Sequence, residues 1–95
     1  MVDLTDTGLS AWDLEPLAHE LRGSGVEVLR VGRNRLRAEG AAVLAEMLRR
    51  STVRVTELDA SANSFGAEGA AALAAALPAA RHLRRLHIGG ATGER

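Results

Sequence analysis

An internal repeat is the feature of this 95-residue sequence that most constrains its fold. The segment that starts at Val26 matches the segment that starts at Val55, and the block AEGAA recurs unchanged at 38–42 and 67–71. Five pairs of residues share one offset of 29: Asn34 with Asn63, Leu36 with Phe65, Gly40 with Gly69, Leu44 with Leu73, and Leu48 with Leu77. Weaker matches continue upstream at an offset of 27 and downstream at 28. This period predicts a stack of similar units, forming one domain over 1–95 with repeats at about 1–25, 26–54 and 55–82 and a partial fourth at 83–95.

Each unit combines a strand pattern with a helix pattern. Leu29 and Val31 alternate with polar residues as on one face of a strand, and 40–50 carries apolar residues at the spacing of a one-sided helix. A unit this short cannot bury its own apolar face, so neighbouring units must stack. A small doubly wound α/β sheet is the competing fold, because it also alternates strands and helices. The Gly-Ser-Gly at 23–25 precedes a strand rather than joining a strand to a helix, so the usual nucleotide signature of that fold is missing.

The ends of the helices are marked by capping residues and prolines. We expect the first helix to start near Ser10 or Asp13, with Pro16 in its first turn, where a missing N–H costs nothing. The second helix is predicted over Gly40 to Arg50. The third repeats its apolar pattern with Leu73 and Leu77 and is closed by Pro78.

The repeat resembles that of a known family. Its segments match L-x-x-L-x-L-x-x-N-x-L-x-x-x-G-a-x-x-L-a-x-x-L, the repeat of ribonuclease-inhibitor-like leucine-rich-repeat proteins. The resemblance implies an α/β, right-handed solenoid, a horseshoe segment with a parallel β-sheet on the concave side and helices on the convex side. It also implies that Asn34 and Asn63 form a structural ladder of hydrogen bonds to backbone after each strand. Thr7 and Ala91 occupy the matching places in the outer repeats, where threonine can bond in part and alanine cannot.

Composition removes several classes of function. The chain has no Cys, and its 12 acidic residues balance 12 arginines. Its start has no basic region of a secretory signal, and the run at 70–80 is too short to span a bilayer. We therefore expect a cytoplasmic protein that binds no membrane. The three histidines have no metal-ligand spacing and no serine stands in a nucleophile motif, so no catalytic residue, metal, cofactor or small-molecule substrate is predicted.

Charge is segregated along the chain. Residues 22–54 contain eight arginines against three acids, whereas 1–21 and 55–80 contain acids and no arginine. The arginine cluster could indicate nucleic-acid binding, but with one Trp, one Phe and no Tyr the usual stacking platform is absent. Attraction between successive repeats is the interpretation we prefer, so no nucleic-acid partner is predicted.

The outward strand positions form the candidate binding surface. The repeat alignment places Asp3, Arg30, Asp59 and His87 in one column on four successive strands, and Met1, Val28, Glu57 and Arg85 in a second column. Arg33 and Arg35 follow at the rim. These charges could pair across strands, form a mixed-charge surface for a protein partner, or do both. Trp12 is interpreted either as a lid over the apolar edge of the first repeat or as a binding anchor.

Three functions are consistent with these patterns. The first is a non-catalytic protein–protein interaction module that uses the concave strand face and adjoining loops. The second is a structural fragment of a longer solenoid, or a scaffold segment that self-associates through uncapped ends. The third is a regulator of a GTPase or another enzyme, which the leucine-rich-repeat resemblance allows.

Overall fold

The computed structural model describes residues 1–50 and 52–88 and has an α/β architecture. In chain order the elements are β1 (Val2–Asp3), α1 (Ala11–Glu20), β2 (Val28–Arg30), α2 (Arg37–Arg49), β3 (Glu57–Asp59), α3 (Gly66–Ala76) and β4 (Arg85–His87). A short 3₁₀ turn, Leu77–Ala79, follows α3. The predicted alternation of strands and helices is therefore confirmed, and no described helix is both long and apolar enough to cross a membrane.

The four strands form one parallel sheet in the order β1-β2-β3-β4. The order has no reversal, whereas a doubly wound sheet reverses at its switch point. The helices follow the same order, since α1 packs on α2 and α2 packs on α3. Each strand-to-strand connection therefore crosses over through one helix, and the helices lie side by side against the sheet.

The core lies between the sheet and the helices. Leu29 and Leu58 of the inner strands are fully buried, and so are Leu14, Leu44 and Leu73 of the three helices. Because side chains alternate along a strand, burying Leu29 directs its neighbours Val28 and Arg30 to the opposite face of the sheet. The leucines of the repeat thus fix which face of each strand contacts solvent.

The helix boundaries correct two details of the sequence prediction. Ser10 precedes α1, and its backbone N–H donates a hydrogen bond to the Asp13 carboxylate at 3.0 Å. Because the helix starts at Ala11, Pro16 lies in the second turn, not the first, and Trp12 O cannot accept the usual bond from residue 16. The second helix begins three residues before the predicted Gly40.

The end of the third helix also differs from the expectation. α3 ends at Ala76, and Pro78 lies in the 3₁₀ turn that follows. Leu77 belongs to that turn and is 42 % exposed, whereas its counterpart Leu48 is buried in α2. The change from α to 3₁₀ geometry therefore takes the last apolar position of this repeat out of the core.

Two buried asparagines form hydrogen bonds between the loops that follow successive strands. Asn63 Nδ2 donates to Val31 O at 2.9 Å and to Ala60 O at 3.0 Å, and its Oδ1 accepts the Asn34 N–H at 3.0 Å. Asn34 repeats the arrangement one unit earlier, where its Oδ1 accepts the Thr7 N–H at 3.0 Å. Thr7 occupies the next position of the series. The one backbone carbonyl to which its hydroxyl donates is the nearby Leu4 O, at 2.8 Å, so Thr7 repeats the asparagine bonds only in part. Ala91, the fourth position of the predicted ladder, lies outside the described residues.

Candidate interaction surfaces

The face of the sheet opposite the core carries a column of charged side chains. The strand register pairs Asp3 with Arg30, Arg30 with Asp59, and Asp59 with His87. In a parallel sheet such neighbours lie about 4.8 Å apart. Arg30 and His87 are exposed and Asp59 is partly exposed. The four residues that the repeat alignment placed together therefore stand in register on one open face.

A second column lies one step earlier on the strands. The register pairs Val28 with Glu57 and Glu57 with Arg85. Glu57 is half-buried and Arg85 is exposed. This column adds one acid and one base beside Asp59 and His87, so the side of the face near β3 and β4 carries charges of both signs. We call the seven residues Asp3, Arg30, Asp59, His87, Val28, Glu57 and Arg85 the strand face.

The two aspartates of the strand face are held by the loops that follow them. Asp3 Oδ1 accepts the Thr5 hydroxyl at 2.6 Å and the Thr5 N–H at 3.1 Å. Asp59 Oδ1 accepts the Ser61 hydroxyl at 2.8 Å and the Ser61 N–H at 3.2 Å. Bonds to the Thr5 hydroxyl and then to its N–H lower the pKa of Asp3 from its ordinary value, with a smaller contribution from the charge of Arg30. Neither set of bonds uses Oδ2, so each carboxylate is oriented while one oxygen stays outside the loop.

The two rim arginines fall on different sides of the loop after β2. Arg33 is exposed and has a left-handed backbone with φ 56°, and its N–H donates to Ser61 O at 2.9 Å. The Arg35 N–H donates to Leu9 O at 3.0 Å, and its side chain lines a cavity with Trp12 and Glu15. Arg33 therefore stays close to the strand face, but Arg35 belongs to the helix side. Sequence analysis placed both arginines at the rim of the strands and could not separate them.

A groove between α1 and α2 is the second surface, and sequence reasoning missed it. It consists of two cavities of about 750 and 680 Å³, which share Trp12, Glu15, Ala42 and Val43. Trp12 is 85 % exposed, so the interpretation of Trp12 as a lid over an apolar edge is wrong. Its indole stands in solvent beside both cavities.

Close packing at a glycine brings α3 against α2. An ideal Cβ placed on Gly69 of α3 would lie 3.1 Å from Ala41 Cβ of α2, so these two helices touch. For the equivalent residue of α2, Gly40, the three atoms nearest to such a Cβ all belong to Leu36 of its own repeat. The equivalent residue of α1 is Asp13, which has a side chain where the other repeats have none. Trp12, at the position of Glu39 and Glu68 in the other repeats, was the available signal in the sequence for this surface.

Neither surface carries a constellation for metal binding. Within residues 1–50 and 52–88 no three His, Cys, Asp or Glu side chains gather closely enough to hold a metal ion. His19 lies on α1, His82 precedes β4 and His87 lies on β4, so the three imidazoles are distributed over separate elements. The two surfaces thus offer charge, an indole and backbone-anchored loops for contact with another molecule.

No protein-family model matches the chain, and no curated protein matches it.

Proposed function

We propose that the chain is a segment of a leucine-rich-repeat solenoid, with its sheet on the concave side and its helices on the convex side. The sequential parallel strands, one helix per crossover, and the asparagine bonds between successive loops support this assignment. The three helices pack in the order of their strands, as stacking of similar units requires.

The proposed function is non-catalytic binding of a protein partner through the strand face. The observation that carries it is the in-register column of Asp3, Arg30, Asp59 and His87 on a face that none of the described helices covers. Charges of alternating sign select a partner whose own charges have the complementary order, and they disfavour partners of uniform charge. Thr5 and Ser61 orient two of the carboxylates in advance, which lowers the entropy lost when a partner binds.

Arg30 is the central residue of this surface. It is exposed and lies between two aspartates of neighbouring strands, Asp3 and Asp59. An arginine can bind a carboxylate with two parallel N–H···O bonds. We therefore expect Arg30 to fix the register of the complex, while Asp59 and Arg85 bind donors and acceptors of the partner on either side.

The test compares one charge reversal on each side of the molecule. The intact chain is used to isolate a binding protein from the lysate of its source cells, and the purified partner is then titrated calorimetrically against the wild type and two variants. Arg30→Glu should weaken binding by at least about tenfold, the effect of losing about 1.4 kcal/mol. Arg49→Glu makes the same charge change on α2 and should leave the affinity within about twofold. Equal affinities for the wild type and a folded Arg30→Glu variant would overturn the proposal.

A further inference from the structure

The outer side of α1 and the turn that follows it carry a stripe of exposed residues whose charge changes along the chain. Trp12, Glu15, Pro16, His19 and Arg22 are all exposed and follow the three- and four-residue spacing of one helix side. The acid lies in the first half of this stripe and the basic groups lie in the second half. His19 and Arg22 are already in contact, since Arg22 Nη1 and His19 Nδ1 are 3.3 Å apart.

This order of charges is complementary to itself. When two copies of α1 are placed antiparallel about a two-fold axis near Leu17, Glu15 of each copy faces His19 and Arg22 of the other. Trp12 of each copy then lies against Arg22 of the other, where a guanidinium can stack on the indole. A two-fold interface requires this reciprocity, in which each residue repeats its contact with the roles exchanged.

We propose that the α1–α2 groove binds a second copy of this chain, with Trp12 of each copy seated in the groove of the other. The seat is the cavity of about 680 Å³, where Ala18, Val43 and Met47 provide apolar surface and Arg22 and Arg50 lie at the edge. A volume of this size is in the range of cavities that hold compact organic ligands. An indole fits such a cavity with its apolar ring inside and its N–H toward the polar edge.

Charge at the groove favours a second copy over a strongly charged partner. Glu15 and Glu46 line this cavity together with Arg22 and Arg50, so acids and arginines are equal in number. A highly acidic or basic segment would meet like charges at this edge, whereas a second copy meets opposite charges at both ends of the stripe. The contact uses the helix side, so both strand faces of the dimer stay accessible.

The single tryptophan makes this association measurable in two ways. The mass of the intact chain is followed by light scattering from about 1 µM to 1 mM, the range of weak association, and Trp12 emission is recorded at the same concentrations. We expect the mass to rise from 10.0 kDa to twice that value and the emission to shift to the blue over the same range. Trp12→Ala should raise the dissociation constant by at least about 30-fold.

Charge exchange separates this interface from any other. Glu15→Arg and Arg22→Glu should each be monomeric alone, because like charges meet at both ends of the helix. An equimolar mixture of the two should form a heterodimer, since arginine then faces glutamate at both contacts. Glu20→Arg is the matched control, because Glu20 lies on α1 but does not line the groove, and it should dimerise as the wild type does.

Three results would overturn the proposal. The first is a mass of one chain at every concentration, with unchanged emission. The second is a dimer whose Trp12 emission does not shift, which indicates contact through the edge strands. The third is a mixture of Glu15→Arg and Arg22→Glu that stays monomeric while both variants are folded by circular dichroism.

Discussion

The substitution Asn63→Ala tests how much the hydrogen bonds of the asparagine ladder contribute to stability. Asn63 is 1 % exposed, so water does not reach its amide. Removing the amide takes the acceptor from two backbone donors, the N–H groups of Asn34 and Leu36, at 3.0 and 3.4 Å. Ala60 O also loses its donor, Asn63 Nδ2, which lies 3.0 Å away. Three backbone groups in or near the core therefore lose a partner.

Other bonds of Asn63 are shared and limit the loss. Val31 O also accepts Asn34 Nδ2 at 2.8 Å, and Ser61 O accepts the Arg33 N–H at 2.9 Å, so both carbonyls keep one donor. Each buried group left without a partner costs about 1–3 kcal/mol. The three groups together should lower the free energy of unfolding by about 3–9 kcal/mol, out of the about 5–15 kcal/mol typical of a small domain.

Asn34→Ala is the matched comparison in the outer repeat. Its Oδ1 accepts the N–H groups of Thr7 and Leu9, at 3.0 and 2.8 Å. Thr7 is exposed and Leu9 is partly exposed, so water can replace the lost acceptor. We expect this variant to cost about 1–3 kcal/mol, less than Asn63→Ala. Urea unfolding followed by far-ultraviolet circular dichroism measures both values, provided that the slopes with denaturant agree.

The double variant tests the shared carbonyl directly. Val31 O accepts Asn34 Nδ2 and Asn63 Nδ2, so each single variant leaves it one donor and the double variant leaves none from either amide. The double variant should cost about 1–2 kcal/mol more than the sum of the single variants. Additive costs, or a smaller cost for Asn63→Ala than for Asn34→Ala, would refute the assignment of the energy to these bonds.

Three further perturbations follow from backbone geometry and charge. Ala62 has φ 57°, so Ala62→Gly should raise the unfolding free energy by about 1 kcal/mol and the melting temperature by about 4–8 °C, and a calorimetric decrease would contradict this. Gly69→Ala places a Cβ 2.8 Å from Phe65 Cβ and 3.1 Å from Ala41 Cβ and should destabilise the chain by about 1–3 kcal/mol in urea, whereas a gain would show that Phe65 and α2 yield easily. The Thr5 hydroxyl lowers the pKa of Asp3 below 3.8. The charged carboxylate therefore stabilises the folded chain at pH values above its unfolded pKa, and this stabilisation is lost as the pH falls through its folded pKa. Thr5→Val should raise the pKa of Asp3 in a carbon-13 NMR titration, and an unchanged pKa would remove the hydroxyl as the cause.

The sequence predicts the sheet well because burial and period agree in the two central repeats. Leu29 and Leu58 occupy the same place in the repeat, are both fully buried, and are paired in the register that their offset of 29 requires. Backbone details are less predictable, because several residue types can occupy one conformation. Arg33 and Ala62 both adopt positive φ just before the ladder asparagines, and neither residue type signals that conformation.

The two candidate surfaces also differ in how far the sequence repeat predicts them. The strand face follows from period alone, because a parallel register brings equivalent positions together whatever side chains they carry. The groove lies where the first repeat departs from the period, since Trp12 stands where Glu39 and Glu68 stand, and Asp13 stands where the other helices have glycine. Alignment of repeats emphasises what they share and therefore passes over such positions.

The two departures in the first repeat, Trp12 and Asp13, are adjacent in the first turn of α1. Asp13 accepts the Ser10 N–H at 3.0 Å and so caps the start of α1, at the position where α2 and α3 have glycine. Val43 of α2 is half-buried and lines the groove, and Trp12 is exposed beside it. Restoring the repeat with Asp13→Gly would remove the cap and the side chain together, and Trp12→Glu would remove the indole alone. Local departures from a repeated pattern that expose an aromatic side chain carry a cost in stability, and such costs are concentrated at sites of function. The proposed association through the first helix therefore uses the repeat that departs most from the shared pattern.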